Sequence, residues 1–476
     1  MVAVSDRCNT PSMAADPSTE PIFTRERGNV VPGELLITLS GPACAAMTAS
    51  VPLHPSGPAG SGIGALGVDE VDAVLADLGA RDVVRLALPA GVGIAAESFD
   101  TAAGRVEVRD HALARSFRVR VDGATDLVAA IGRLQALDAV EAVEPNLYRE
   151  TVAVPDDPAY AQQWGLPKIN APAAWDRSTG SSSVVVAVVD TGADLDHPDL
   201  AAQLVPGFDM VDLGPHPTPP PGFRFEGDFA GRDATPDDEV GHGTHVAGTI
   251  AAASDNALGV AGVTWSCRIM PIKAMTRMVR ISDGQVRGVG SSADIAAGIR
   301  YAADHGASVV NLSLGSSSST TVESSAIAYA IGRGCVVVAA MGNDGTGSPS
   351  YPAAYPDVVS VGAIDRTDQR ASFSQTGSHI DVVAPGVDVL STYPDNTYAS
   401  LSGTSMATPH VCGVAALIRS VRPSLAPAQV ADILRSTARP LRDDPSDPVP
   451  NDRYGCGLVD ACAAVEAALA TTEDAQ

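Results

Sequence analysis

The chain has 476 residues, enough for two or three compact units, and 45% hydrophobic residues supply their cores. Its 31 Lys and Arg stand against 56 Asp and Glu, a formal charge of −25. That balance argues against nucleic acid and anionic membrane as partners, since both need basic patches, and it suits cation binding or plain solubility. The only lysines are Lys168 and Lys273, so arginine carries nearly all the positive charge. Seven cysteines (Cys8, Cys44, Cys267, Cys335, Cys412, Cys456, Cys462) form no C-x-x-C pair. A zinc or thioredoxin-type site is therefore not expected, and an odd count in a long chain is no disulfide scaffold. Individual bridges remain open, with Cys456 and Cys462 closest in sequence.

Residues 1–28 are polar and mixed, and are expected to be a disordered leader. They contain no apolar h-region and no stretch long enough to span a membrane, so no secretory signal is visible. From Gly33 the pattern becomes strand-like (GELLITLS), and VDEVDAVLADLGA then has helical spacing, with Val71, Val74, Leu75 and Leu78 on one side. SFRVRVDG alternates as a half-buried strand, DLVAAIGRLQAL is an amphipathic helix, and AVEAVEPNLY is a strand again. This order predicts a small α+β unit of two helices on an antiparallel sheet, with Pro52–Gly67 as a surface loop. Arg149–Gln162 reads as a linker.

Beyond it, VVVAVVD (184–190), SVVNLSLG (308–315), CVVVAAMGN (335–343) and VVSVGAID (358–365) are short continuous apolar runs with helical segments between them. Such runs fit parallel strands buried on both faces, hence a doubly wound α/β sheet whose ligands bind at the strands' carboxyl ends. Pro215–Gly222 is a proline-rich insertion, read as a stiff surface loop.

Three residues fall at the edges of this sheet: Asp190 closing the first strand, His242 opening a helix, and Ser405 opening another. Ser405 could simply cap its helix. It could also be a nucleophile, which then needs a base within reach and a carboxylate to orient that base. Pro409 is acceptable because it lies in or near the helix's first turn. VVDTGADLDHPDL, GHGTHVAGTIAA and LSGTSMATPHVCG resemble the Asp, His and Ser boxes of the subtilisin-like serine proteases, the subtilases, of the thermitase-like kind. The resemblance runs over about residues 155–465. It implies Asp190 as the orienting carboxylate, His242 as base and then acid, Ser405 as nucleophile, and Asn343 of AAMGNDG as oxyanion donor beside the Ser405 N–H.

By the same resemblance Ser313, Leu314 and Gly315 would pair with an extended substrate, and Ala340, Gly342 and Ser350 would line a roomy, uncharged specificity pocket. SDNALGVAG resembles the family's strong calcium loop, with carbonyls of Ser254, Leu258 and Val260, the Asn256 side chain, and the carboxylates of Asp199 and Asp157 as ligands. A hard cation bound by oxygen alone fits calcium. RDATPDDEVG resembles a second calcium loop through Asp233, Thr235 and Asp237. The α+β unit resembles the family's inhibitory propeptide, giving a leader 1–28, a propeptide 29–152 and a catalytic domain 153–476, with cleavage between Tyr148 and Pro155.

The expected function is thus a monomeric serine endopeptidase zymogen with broad, apolar-leaning specificity. Its partners would be protein or peptide substrates and its own propeptide. A catalytically silent binding homologue and a peptide ligase or macrocyclase are the alternatives. The resemblance implies secretion, while the lack of a visible signal leaves the cytoplasm open. His245 and His410 are read as structural, Cys412 as an inert buried thiol, and Asp194 and His197 as surface loop residues.

Overall fold

The computed structural model describes residues 30–45, 65–86, 98–101, 104–107, 115–147 and 154–471. The expected leader, nearly all of the Pro52–Gly67 loop and most of the expected processing region lie outside the described residues. The chain divides into two compact units, one within Pro11–Thr151 and the other holding Val152–Gln476.

The first unit contains β1 (Val30–Leu39), α1 (Asp69–Asp77), β2 (Asp82–Arg85), β3 (Ser116–Arg120), α2 (Leu127–Gln135) and β4 (Val140–Leu147). The strands form an antiparallel sheet in the order β2-β3-β1-β4. Alternation along β1 buries Leu35, Ile37 and Leu39 completely. They share one core with Val71 and Leu75 of α1 and with Leu127, Ile131 and Leu134 of α2. Those helical residues recur three and four apart, which keeps each set on one face. Asp126 ends the approach to α2, its carboxylate accepting the Val128 and Ala129 N–H groups. This is the two-helix, antiparallel α+β unit expected from the sequence.

The second unit contains β5 (Val185–Asp190), β6 (Phe208–Asp209), β7 (Phe223–Glu226), α3 (His242–Ala251), β8 (Arg268–Lys273), β9 (Thr276–Arg280), β10 (Val286–Val289) and α4 (Ser292–Asp304). It continues with β11 (Val309–Leu312), α5 (Thr321–Gly332), β12 (Val336–Ala340), β13 (Val359–Ile364), β14 (Val382–Pro385), β15 (Val389–Tyr393), β16 (Thr397–Leu401), α6 (Thr404–Val421), α7 (Pro427–Ser436) and α8 (Ala461–Ala470).

Seven parallel strands lie in the order β14-β13-β12-β11-β5-β8-β6. Every residue of β11, β12, β13 and β14 is buried, as a sheet covered on both faces requires. The order reverses between β5 and β11, so the carboxyl ends of these two neighbours flank the switch point where α/β sheets bind their ligands. Asp190 ends β5, and Ser313 follows β11.

Helix α6 is buried almost from end to end and packs on α3, α8 and strands β11 to β14. A helix apolar all round belongs inside a core, and this one carries Ser405 to the sheet's edge. Pro409 lies inside α6, just past its first turn. Lacking an N–H, it leaves the Ser405 carbonyl without its helical donor, and the Ser313 hydroxyl donates there instead at 2.9 Å.

The stretch expected as a linker is partly built into this unit. Asp157 is buried, Tyr160–Gln162 form a short 3-10 turn, and the Ala159 N–H bonds the Gly259 carbonyl. Cys456 is disulfide-bonded while Cys462 carries a free thiol, so the pair closest in sequence is not bridged. A three-stranded antiparallel sheet, β10-β9-β7, was not foreseen; β7 follows directly on the proline-rich insertion. No helix among the described residues is long and apolar enough to cross a membrane.

Candidate active site

Asp190 is the last residue of β5 and is fully buried. Its Oδ1 accepts the Thr191 N–H at 2.8 Å and lies 2.7 Å from His242 Nδ1. The approach is possible because Gly192 turns the chain out of the strand at φ +106, a conformation that favours glycine. The Thr191 hydroxyl then accepts the Gly243 N–H at 2.9 Å, fastening the start of α3 to the end of β5. The other fastening is Asp238, which the sequence reading missed. Its buried carboxylate accepts the N–H groups of Val240, Gly241 and Thr244 and the Thr244 hydroxyl.

His242 sits 29% exposed on the wall of an open cleft of about 290 Å³, shared with Thr191, Met275, Arg287, Ser313 and Leu401. Burial favours its neutral ring, but the charge and hydrogen bond of Asp190, with the charge of Asp238, outweigh burial and leave its pKa raised. Nδ1 is committed to Asp190, and Nε2 has no protein partner among the described residues.

Ser405 is not a helix cap. The N-cap of α6 is Gly403, with no side-chain cap bond, and the Ser405 hydroxyl donates to the Ser313 carbonyl at 3.0 Å. The direct Ser405 to His242 hydrogen bond that a fully aligned line would show is not made here; the hydroxyl is turned toward β11's end.

Asn343 follows β12. Its Oδ1 accepts both the N–H and the hydroxyl of Thr404, at 2.8 and 3.0 Å, which leaves the Nδ2 hydrogens free to point elsewhere. The Ser405 N–H lies in the first turn of α6, where no earlier helical carbonyl can accept it. The two donors converge: a Cβ built on Gly403 would lie 3.5 Å from Asn343 Nδ2 and 3.6 Å from Ser405 N. A buried carboxylate on an imidazole, an alcohol at a helix start and two converging N–H donors form the set that acyl transfer requires.

Comparison with known proteins agrees. The family model described as "Subtilase family" matches residues 181–457. The chain belongs to the subtilase family. It is a serine endopeptidase by that membership. Thermitase from Thermoactinomyces vulgaris is 45% identical over 267 residues, 56% of this chain and 85% of that protein. A thermophilic serine proteinase from Bacillus sp. (strain AK1) is 43% identical over 293 residues, 61% of this chain and 66% of that one. Among solved structures, one described as proteases from Pseudoalteromonas arctica matches with TM-score 0.58 and 36% identity, covering 66% of this chain and 100% of that one.

Of the residues expected to line a pocket in this subtilase, Gly315, Gly342 and Ser350 lie side by side. A Cβ on Gly315 would lie 2.8 Å from Ser350 Oγ, and one on Gly342 would lie 3.2 Å from Ser350 Cβ. Gly342 has φ +104 and donates its N–H to the Thr404 hydroxyl at 3.1 Å, so Thr404 holds both Gly342 and Asn343. Ala340 ends β12, buried; Ser313 is buried and Leu314 half-buried after β11. Gln375, absent from the sequence reading, crowds the Cβ position of Gly342 and donates to the Ser348 carbonyl at 2.5 Å.

His245 and His410 are structural. His245 Nε2 donates to the Val389 and Ala399 carbonyls, His410 Nδ1 donates to the Met406 carbonyl, and burial holds both near a pKa of about 4. Burial pushes the Cys412 thiol well above its usual range. Asp194 and His197 are buried rather than surface loop residues. His197 Nδ1 accepts the Asp199 N–H, its Nε2 donates to the Thr397 carbonyl, and its ring meets Tyr398 edge-on. Sequence alone hides this, because Thr397 and Tyr398 lie some two hundred positions away.

The expected calcium loop brings Asp199 and Asp157 together. Asp199 accepts Asn256 Nδ2 and the Val260 N–H, both at 2.9 Å; Asp157 Oδ2 accepts the Asp255 N–H at 2.8 Å. Asp157 Oδ1 is buried without a hydrogen-bond partner. Burial raises the pKa of both carboxyls, and the charge of Asp157 adds to the shift at Asp199. The Ser254, Leu258 and Val260 carbonyls accept no hydrogen bond from the described residues, although Val260 is fully buried. An orphaned carboxylate oxygen beside unpaired carbonyls fits a hard cation.

Asn256 Oδ1 accepts the Leu258 N–H, however, and no three His, Cys, Asp or Glu side chains gather into a metal cluster among the described residues. Asp233, Thr235 and Asp237 lie exposed, with the Asp233 carboxylate accepting the Thr235 N–H at 2.6 Å. They gather no comparable set.

Proposed function

We propose that Ser405 is the nucleophile of this endopeptidase, with His242 its general base and Asp190 the group that fixes the imidazole. The reading rests on the 2.7 Å bond from His242 Nδ1 to a fully buried Asp190, which leaves Nε2 as the basic nitrogen at the cleft. Rotation about the Ser405 Cα–Cβ bond releases the hydroxyl from Ser313, at a net cost of about 1 kcal/mol for one neutral hydrogen bond. Ser405 Oγ then bonds to the substrate carbonyl carbon as its proton passes to Nε2. The carbonyl oxygen becomes an oxyanion facing Asn343 Nδ2 and the Ser405 N–H. As the C–N bond breaks, His242 returns the proton to the leaving amine. Water, deprotonated by the same nitrogen, releases the acyl group and restores Ser405.

Small side chains at Ala340, Gly342 and Ser350 support a broad, apolar-leaning pocket. Asp157, Asp199 and Asn256, with the Ser254, Leu258 and Val260 carbonyls, would hold a structural Ca²⁺ whose charge neutralises two buried carboxylates. The α+β unit supports a role as a propeptide that occupies the cleft until cleavage between Tyr148 and Pro155. The disulfide at Cys456 supports work in an oxidising compartment, hence export. Mass spectrometry of the purified full-length chain tests the zymogen: wild type is expected to cut itself in that interval, while Ser405→Ala alone stays intact. Equal processing of both would refute self-cleavage by Ser405.

A further inference from the structure

Strand β10 of the sheet β10-β9-β7 lines one wall of the cleft. Strand β10 is an edge strand, paired on one side only with β9, and Val286, Arg287 and Gly288 line the same cleft as His242 and Ser313. Strand β7, which completes the sheet, is delivered by the proline-rich stretch before it.

Four arginines stand on the strands of this sheet. Arg224 and Arg277 both pair with Glu226, the latter at 3.3 Å, and Arg280 pairs with Asp283 at 2.8 Å. Arg287 is the exception. Its guanidinium donates to Gln285 Oε1 at 3.2 Å and lies 5.9 Å from the centroid of the Phe223 ring, but no carboxylate among the described residues pairs with it. The side chain is exposed at the cleft. In a chain with a formal charge of −25, carboxylates are plentiful, and this arginine is nevertheless left with an uncharged amide and an aromatic ring. Both contacts orient a cation without neutralising it. Of the residues lining the cleft, only Arg287 carries a permanent charge.

We propose that Arg287 is a specificity-determining residue that favours substrates carrying an Asp or Glu side chain in the stretch lying along β10. The inference rests on the proposed endopeptidase site and adds the charge of its preferred substrate. An extended peptide beside an edge strand presents alternate side chains to that strand's residues, so a carboxylate at one register position meets the guanidinium. The overall negative charge repels acidic segments at long range. Salt screens that repulsion beyond about 10 Å, whereas Arg287 acts in contact with its partner. The Phe223 contact makes β7, and thus the insertion, the element that positions this preference.

The test uses the purified, matured enzyme and a peptide series in which a single Glu is stepped through the positions flanking the cleaved bond, each matched to its Gln counterpart. The readout is the Glu-to-Gln ratio of kcat/KM at each position. Wild type should show a ratio of about five at one position, the size of a partly exposed ion pair, falling toward one in high salt. Arg287→Gln should bring that ratio to about one, and Arg287→Glu should take it below one. A ratio near one at every position in wild type, or a preference unchanged in both variants, overturns the proposal while leaving the catalytic reading intact. If Ser405→Ala cleaves the series as fast as wild type, the catalytic reading fails, and this inference falls with it.

Discussion

We propose that Asn343 serves catalysis rather than substrate binding. Its Oδ1 is held twice by Thr404, so the Nδ2 donor is aimed before any substrate arrives and need not reorganise as charge develops. Asn343→Ala is therefore expected to lower kcat by about 10²–10³ with little change in KM, a magnitude known for the corresponding donor in subtilisin rather than calculated for this chain. Steady-state kinetics on a neutral peptide check it; a loss confined to KM would mean that Asn343 only binds substrate. The residue scale is also where the sequence was most and least informative. Asp190, His242, Ser405 and Asn343 could be proposed from sequence because each stands in a distinctive box. Thr404 and Asp238 were not: a threonine that mounts an amide and an aspartate that caps the histidine helix look ordinary until their partners are located. His197 looked like a loop residue because its carbonyl partner, Thr397, is remote in sequence.

Among the elements, the 254–262 loop is where we propose that a bound cation contributes to stability. Two carboxylates brought together by burial, one with an orphaned oxygen, repel each other unless a cation sits between them. A site saturated at about 100 times its Kd adds about 2.7 kcal/mol, which in a unit of this size shifts Tm by about 4 °C. Calorimetry with and without EDTA should show that drop, calcium should reverse it, and Asp199→Asn should abolish the response. An EDTA-insensitive Tm in wild type would contradict the site. The apolar strands β5, β11, β12 and β13 were legible as runs of valine. Strand β8 was not, because Arg268, Pro271 and Lys273 interrupt its pattern even though it is paired on both sides. The cleft-wall sheet was hidden for a related reason. Its strands are four or five residues long and alternate with arginine, so neither length nor period marks them.

Across the whole molecule, the fold gathers residues 190, 242 and 405 from a β-strand end and two helix starts, around the point where the strand order reverses. Class and layering were legible, since alternating valine runs and helices leave few other arrangements. The division into two compact units also follows the change in texture near residue 150. The orientation of the serine hydroxyl was not legible, because a single side-chain rotation leaves no trace in sequence. Reaction with a fluorophosphonate probe, read by peptide mapping, tests most directly whether these three residues act together. Wild type should carry the adduct on Ser405, Ser405→Ala should carry none, and His242→Ala should label far more slowly; equal labelling of wild type and Ser405→Ala would contradict the assignment.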